Sequence, residues 1–132
     1  NSIRSLGDGQ VITVIPKNNN MYQLRANQGC VSHTKKKEGV QLKVEDCQET
    51  PGQNFKLHHI TNLKQYNEHL KKPVDDLSEV YYPFHILTTP NDKNKCMSVR
   101  GNKTSMNECE DSVYHRFESL RTIKKCDSKY GN

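Results

Sequence analysis

The chain has 132 residues, of which 32% are hydrophobic and 27% charged, with no tryptophan and a formal net charge of +5. This length and apolar content predict one small domain, residues 1–132, with a modest core. No apolar run approaches the eighteen or so residues needed to span a bilayer, so we predict no membrane insertion. Asn1 begins neither a charged nor an apolar leader segment, and we expect any signal peptide to be absent from this sequence.

Short apolar runs bounded by turn residues predict β-strands in the first half of the chain. Pro16 ends the first of them, and the loop 35–39 joins the third and fourth into a hairpin. The predicted strands are 11–15, 22–25, 30–33, 40–44 and 55–60.

Residues 63–79 give a weaker pattern. Leu63, Tyr66 and Leu70 have helical spacing, but Pro73 and the repeat described below favour strands joined by a long loop. Further strands are predicted at 84–87, 96–99, 104–107 and 117–123, followed by a polar tail, 124–132. The whole chain is therefore predicted to be all-β.

Two stretches of the sequence repeat each other. In the N-terminal copy, Cys30-Val31-Ser32 runs on to Cys47 and then Phe55; in the C-terminal copy, Cys96-Met97-Ser98 runs on to Cys109 and then Phe117. The second cysteine lies eight residues before the phenylalanine in both. A fixed internal layout indicates a supersecondary unit used several times. Because 82–86 resembles a closing strand between the copies, we predict three units, about 11–57, 58–86 and 87–123.

The order of cysteines, apolar positions and closing aromatic motif resembles the ricin B-type repeat of R-type lectins. The aromatic motif stands as Gln53-Asn54-Phe55 in the N-terminal copy and as His115-Arg116-Phe117 in the C-terminal copy. The resemblance implies a β-trefoil, in which a six-stranded barrel is capped by three hairpins. It also implies equivalent core sites for three aromatic residues, which are Phe55, Phe84 and Phe117.

Five cysteines in a small polar chain indicate an oxidising compartment, and hence a secreted or surface protein. With four of them placed repeat by repeat, we pair Cys30 with Cys47 and Cys96 with Cys109. Cys126 is left over, either as a free buried thiol or as a bridge to a second chain, so that the protein is a monomer or a Cys126-linked dimer. Asn102 begins a glycosylation sequon, which is consistent with secretion.

The sequence shows no constellation typical of an enzyme, such as a phosphate-binding glycine loop or a nucleophile elbow. We therefore predict no catalysis, no cofactor and no metal site.

The neighbouring His58 and His59 would point to opposite faces of a strand. We expect all six histidines to lie at the surface or rim; the other four are His33, His69, His85 and His115.

The family resemblance implies carbohydrate binding, but the standard galactose site looks degenerate. That site uses an aspartate after the first cysteine, a ring before the second, and an amide at the aromatic motif. Ser32 and Ser98 replace the aspartate, and Gln53 keeps the amide. Where the ring is expected stand Lys43 and, in the C-terminal copy, Met106 or Asn107.

Basic clusters on predicted loops indicate an acidic glycan as partner; the alternative is that they only solvate a small domain. These clusters are 35–37, 71–72, Arg100 with Lys103, and 124–125. The candidate glycan-binding residues are Ser32, Lys35, Lys36, Lys37, Gln41, Lys43, Gln53, Arg100 and Lys103.

The sequence leaves the class of partner open between a carbohydrate and a cell-surface receptor protein. The alternatives are a protein-interaction module, such as a protease inhibitor or cytokine-like ligand, and a structural coat or adhesion protein. Nucleic acid is not predicted, because the tyrosines are not interleaved with arginine along one strand.

Overall fold

The structure, a computed structural model, describes residues 1–76, 83–101 and 103–120. This part of the chain is all-β, with ten strands, one short α-helix and three single turns of 3₁₀ helix. The strands are β1 Ser2–Ser5, β2 Val11–Pro16, β3 Tyr22–Ala26, β4 Gly29–Lys36, β5 Gly39–Glu45, β6 Lys56–Ile60, β7 Phe84–Thr89, β8 Asp92–Arg100, β9 Lys103–Glu108 and β10 Phe117–Leu120. Nothing in these ranges is a helix of the length and apolarity that crossing a membrane requires.

All of these strands pair in antiparallel fashion. They follow the order β5-β4-β3-β2-β1-β10-β7-β8-β9, and β6 pairs with β7 beside this path. A single bridge also joins the start of β3 to the residue before β6: Tyr22 N donates to Phe55 O at 2.8 Å and Phe55 N to Tyr22 O at 2.9 Å. The bridge therefore links the N-terminal strands to the β6–β7 pair.

Two long hairpins carry the repeated sequence, as predicted. The β4–β5 hairpin pairs Ser32 with Lys43, and the β8–β9 hairpin pairs Ser98 with Ser105. The structure contains both predicted disulfides, Cys30–Cys47 and Cys96–Cys109. The two hairpins also contact each other through β5 and β9.

The prediction of strands from residue 63 is wrong at its start, because Leu63–Asn67 forms a helix, α1. The Asn62 side chain accepts a hydrogen bond from Gln65 N at 2.9 Å, which satisfies a donor of the first turn. Tyr66 is the buried residue of α1, and Leu70, which follows the helix, is buried as well. Residues 61–76 contain no strand, and the hairpin expected for the middle unit is not found there.

The buried apolar residues form two clusters. The central cluster includes Phe55 and Phe117 together with side chains from both hairpins, whereas the second cluster contains Phe84, Tyr66 and the Cys96–Cys109 bridge. All three phenylalanines are completely buried, as expected. Phe84, however, packs edge-on against Tyr66 of α1, with ring centroids 5.1 Å apart.

Some predictions fall outside the described residues. These concern the sequon asparagine Asn102, the fifth cysteine Cys126, the end of the last strand at 121–123, and the tail 124–132. The structure describes nothing at these positions.

The tight turn between β3 and β4 provides a stability test. Asn27 and Gln28 both have positive φ, 49° and 67°, a conformation that glutamine adopts only at a steric cost. Gln28→Gly is expected to raise the free energy of unfolding by up to about 1 kcal/mol, measured by urea denaturation. Gln28→Ala retains the strain and serves as the control; an equal gain in both variants would contradict this explanation.

Candidate functional site

A polar cleft lies between the β8–β9 hairpin and the 3₁₀ turn Val113–His115. Its volume is about 310 Å³, at the lower end of the range for small-ligand sites. Ser98 and Arg100 of β8 are paired with Ser105 and Lys103 of β9, so all four side chains share one face of the hairpin. The lining residues are Ser98, Arg100, Lys103, Ser105, Asn107, Glu110, Ser112 and His115.

Arg100 is held in place within this cleft by an aromatic ring. Its guanidinium carbon lies 4.1 Å from the ring centroid of Tyr114, which is a cation–π contact. Gly7 packs against the same tyrosine: a Cβ at residue 7 would lie 2.7 Å from Tyr114 Cδ1. The contact with Tyr114 therefore positions the guanidinium of Arg100, although the residue lies next to the tip of its hairpin.

His115 forms one wall of the cleft and also supports its backbone. Its Nδ1 accepts a hydrogen bond from Glu110 N at 3.2 Å, and the side chain is buried. Burial lowers the pKa of His115, although the Glu110 carboxylate and backbone oppose that shift. The ring is thus neutral at pH 7, with its proton on Nε2.

Gln53 occupies the matching position in the N-terminal copy, since both residues lie six positions after a cysteine. Its Oε1 accepts from Gln48 N at 2.8 Å, and its Nε2 donates to Asp46 O at 2.8 Å and to Ser32 Oγ at 3.2 Å. Gln53 is 1% exposed and Ser32 4% exposed. The structure therefore uses these two predicted glycan contacts to hold the fold together and does not offer them to a ligand.

The remaining candidates of the N-terminal copy are exposed but lie outside the cleft. Lys35, Lys36 and Lys37 are at the tip of the β4–β5 hairpin. Gln41 lines a shallow groove beside Lys36, and Lys43 lies 3.7 Å from a carboxylate oxygen of Glu45. Of the nine predicted residues, Arg100 and Lys103 lie together in the β8–β9 cleft, and Lys36 and Gln41 lie together at the shallow groove.

Sequence reasoning missed most of the cleft, including the ring beneath Arg100. Alternation along the hairpin would have placed Ser105 beside Ser98 on one face. The shared offset from the cysteine would have identified His115 as the counterpart of Gln53. No local signal indicated Tyr114, Glu110 or Ser112.

The histidines differ from the surface arrangement that was expected. His69 and His115 are buried, at 7% and 4% exposure. His58 and His69 have ring centroids 4.4 Å apart, and His59 and His85 have theirs 4.7 Å apart. The described residues contain no group of three or more histidine, cysteine or carboxylate side chains suited to a metal ion.

The partial or full burial of four histidine rings predicts that acid destabilises the fold. Burial is the main cause that lowers the pKa of His33, His85 and His115, and it lowers that of His58 to about 4. The unfolded chain therefore binds more protons, so stability present above pH 6.5 is lost as the pH falls toward 4. After a reduction for solvent screening of the half-exposed ring, His58 alone accounts for about 1–2 kcal/mol of the free energy of unfolding lost in acid.

Urea unfolding at pH 7.5, 5.5 and 4.5 measures this loss. His58→Gln is expected to reduce the fall in the free energy of unfolding between pH 6.5 and 4.5, because glutamine does not titrate. A loss of equal size in the variant would exclude His58 as a source of the acid sensitivity.

Comparisons with known proteins do not identify a relative. A scan against protein-family models finds no match, and searches of curated proteins and of solved structures find no significant match to this chain.

Proposed function

We propose that the protein is a ricin B-like binding module, secreted or displayed at a surface, that recognises an acidic glycan in the β8–β9 cleft. The observation that carries the proposal is the cross-strand pair Arg100–Lys103, which lies at a cleft of ligand size. Two disulfides are compatible with an extracellular location.

The chemistry of the cleft favours an anionic saccharide over a neutral one. Arginine binds carboxylate or sulfate groups through paired N–H donors, and lysine adds a second charge beside it. Ser98, Ser105 and Asn107 provide hydroxyl and amide groups for sugar hydroxyls. The nearby ring of Tyr114 is covered by Arg100, so recognition relies on charge and hydrogen bonds.

The strand pairing supports a trefoil-like arrangement for this module. With the bridge between Tyr22 and Phe55, the strands β1, β2, β3, β6, β7 and β10 form a continuous series of neighbours. In this proposal β1 and β2, at the N-terminus, form the third pair of barrel strands. The repeat in the sequence instead predicts that pair in the middle unit, 58–86. The barrel then has two long hairpins, and the connection around α1 is an insertion.

A glycan array probed at low and moderate salt tests the proposal on the disulfide-intact protein. Arg100→Ala with Lys103→Ala is expected to weaken binding of sulfated or sialylated chains by at least about 100-fold, because each of the two lost charge-assisted hydrogen bonds contributes about 1.5–3 kcal/mol. Binding should also fall as salt rises.

The matched control removes two charges outside the cleft, Lys35→Ala with Lys36→Ala. It is expected to weaken binding far less than the cleft variant. Equal losses would point to a diffuse basic surface, and an array that is silent at both salts would exclude the glycan hypothesis.

A protein receptor is the second candidate, and an apolar cavity favours it. This cavity, of about 360 Å³, lies between the two hairpins and β2, and its lining includes Val31, Leu42 and Met97. Val11 and Val44 at its edge are 51% and 44% exposed. A module of the protease-inhibitor or cytokine-like kind would use such a surface.

If it does, Val11→Asp should abolish binding of the protein partner and leave any glycan binding unchanged.

A structural coat or adhesion role is the third proposal, and it depends on Cys126, outside the described residues. A dimer that dissociates with reductant and is absent from Cys126→Ser would support it.

A further inference from the structure

Two histidines face each other on neighbouring strands, away from the cleft. His59 of β6 and His85 of β7 are direct partners in the antiparallel register. His59 is exposed and His85 is partly buried. His59 Nδ1 lies 3.1 Å from His85 Nε2.

We propose that His59 and His85 form a bidentate site for a divalent transition-metal ion of the zinc or nickel kind. Zinc binds imidazole nitrogen at about 2.0–2.1 Å, so two nitrogens on one ion lie about 2.9 Å apart at a 90° ligand angle and about 3.4 Å apart at the tetrahedral angle. The observed separation lies between these limits. An ion can therefore bind both rings with little movement of the strands.

The hydrogen bonding of the pair differs from that of the other close histidine pair. His58 Nε2 is bonded to Thr88 Oγ1 and His69 Nδ1 to Lys93 O, both at 2.8 Å, so the protein itself engages those rings. His59 and His85 instead contact each other, and within the described chain His85 Nδ1 has no hydrogen-bond partner although it is buried. A single N–H···N bond thus leaves the pair incompletely satisfied.

The exposure of the pair also suits a metal ion. Because His59 is exposed, water can complete the coordination shell. A site with two protein ligands of this type is open and exchanges its ion readily.

Calorimetric titration of the disulfide-intact protein with Zn²⁺ at pH 7.5 tests the site. One saturable site is expected, and either His59→Gln or His85→Gln should weaken it by at least tenfold, since losing even an outer partner of a metal ligand costs 10–100-fold. His58→Gln, on the same strand but with different contacts, is the matched control and should bind as the unmodified protein does.

Thermal unfolding with and without Zn²⁺ gives a second readout. The ion should raise the melting temperature of the unmodified protein and of His58→Gln, but not that of His59→Gln. Because the side chain of His59 is exposed, its replacement should not disturb folding, and a missing shift in this variant would report lost metal binding. The absence of saturable binding to the unmodified protein, or undiminished binding in His59→Gln, would overturn the proposal. Neither result bears on the glycan cleft, which is formed by other strands.

Discussion

Replacing Gln53 by alanine is expected to lower the free energy of unfolding by about 3–5 kcal/mol, because one buried amide holds four groups together. Its Nε2 donates to Asp46 O and Ser32 Oγ, and its Oε1 accepts from Gln48 N and from Gln23 Nε2. Removal takes a hydrogen-bond partner from the buried side chains of Ser32 and Gln23 and from the backbone of residues 46 and 48, and it opens a cavity. Urea denaturation at pH 7.5 measures the change.

The chain provides its own control for this prediction at the matching position of the C-terminal copy. His115→Gln places an amide oxygen where Nδ1 now accepts from Glu110 N, so the backbone bond can be kept. We expect a change below about 1.5 kcal/mol at pH 7.5, the usual limit for volume-conserving replacements. If Gln53→Ala is as mild as His115→Gln, the buried amide is not what stabilises the N-terminal copy.

The hairpins and disulfides could be predicted because their signals are local. Alternation along 40–44 and the repeated spacing of cysteine and phenylalanine depend only on neighbouring residues, and the structure confirms the elements they indicated. Each disulfide closes a loop that begins and ends in its own copy. Long-range pairing was not needed to find them.

The prediction of a middle repeat relied on Phe84, and the position of this residue was not sufficient evidence for it. Its position suggested the closing strand of a middle copy, and it is indeed buried. The partner, however, is Tyr66 of α1, in a region with no second copy of the hairpin. A buried aromatic residue can have many different neighbours, so burial alone does not mark a repeat.

The N-terminal strand and the cleft required information that the sequence does not hold locally. β1 has only Ile3 as an apolar residue, and it is a strand because it pairs with both β2 and β10. Similarly, the basic residues could be counted in advance, but only the fold shows that Arg100 packs on the ring of Tyr114 and lines a cleft. Such distinctions depend on contacts between distant segments.

Removing the Cys96–Cys109 disulfide is expected to cost about 3–5 kcal/mol, more than removing Cys30–Cys47. Chain-entropy estimates give about 3 kcal/mol for either loop. Cys96 and Cys109 are each 1% exposed and belong to the second cluster, so their replacement by alanine also opens a cavity. In the other bridge Cys30 is also buried but Cys47 is exposed, so replacing that pair opens a cavity on one side only and should add less to the entropy term.

The same difference in burial predicts the order of reduction. A thiolate reductant must reach a sulfur atom, and we expect easier access at Cys30–Cys47, where Cys47 is an exposed residue, than at Cys96–Cys109, where both residues are 1% exposed. Mild reductant at pH 8 should therefore open Cys30–Cys47 first, leaving a folded intermediate that retains Cys96–Cys109. Timed alkylation followed by mass spectrometry of peptides measures the two rates; equal rates, or the reverse order, would mean that opening of the whole fold governs reduction.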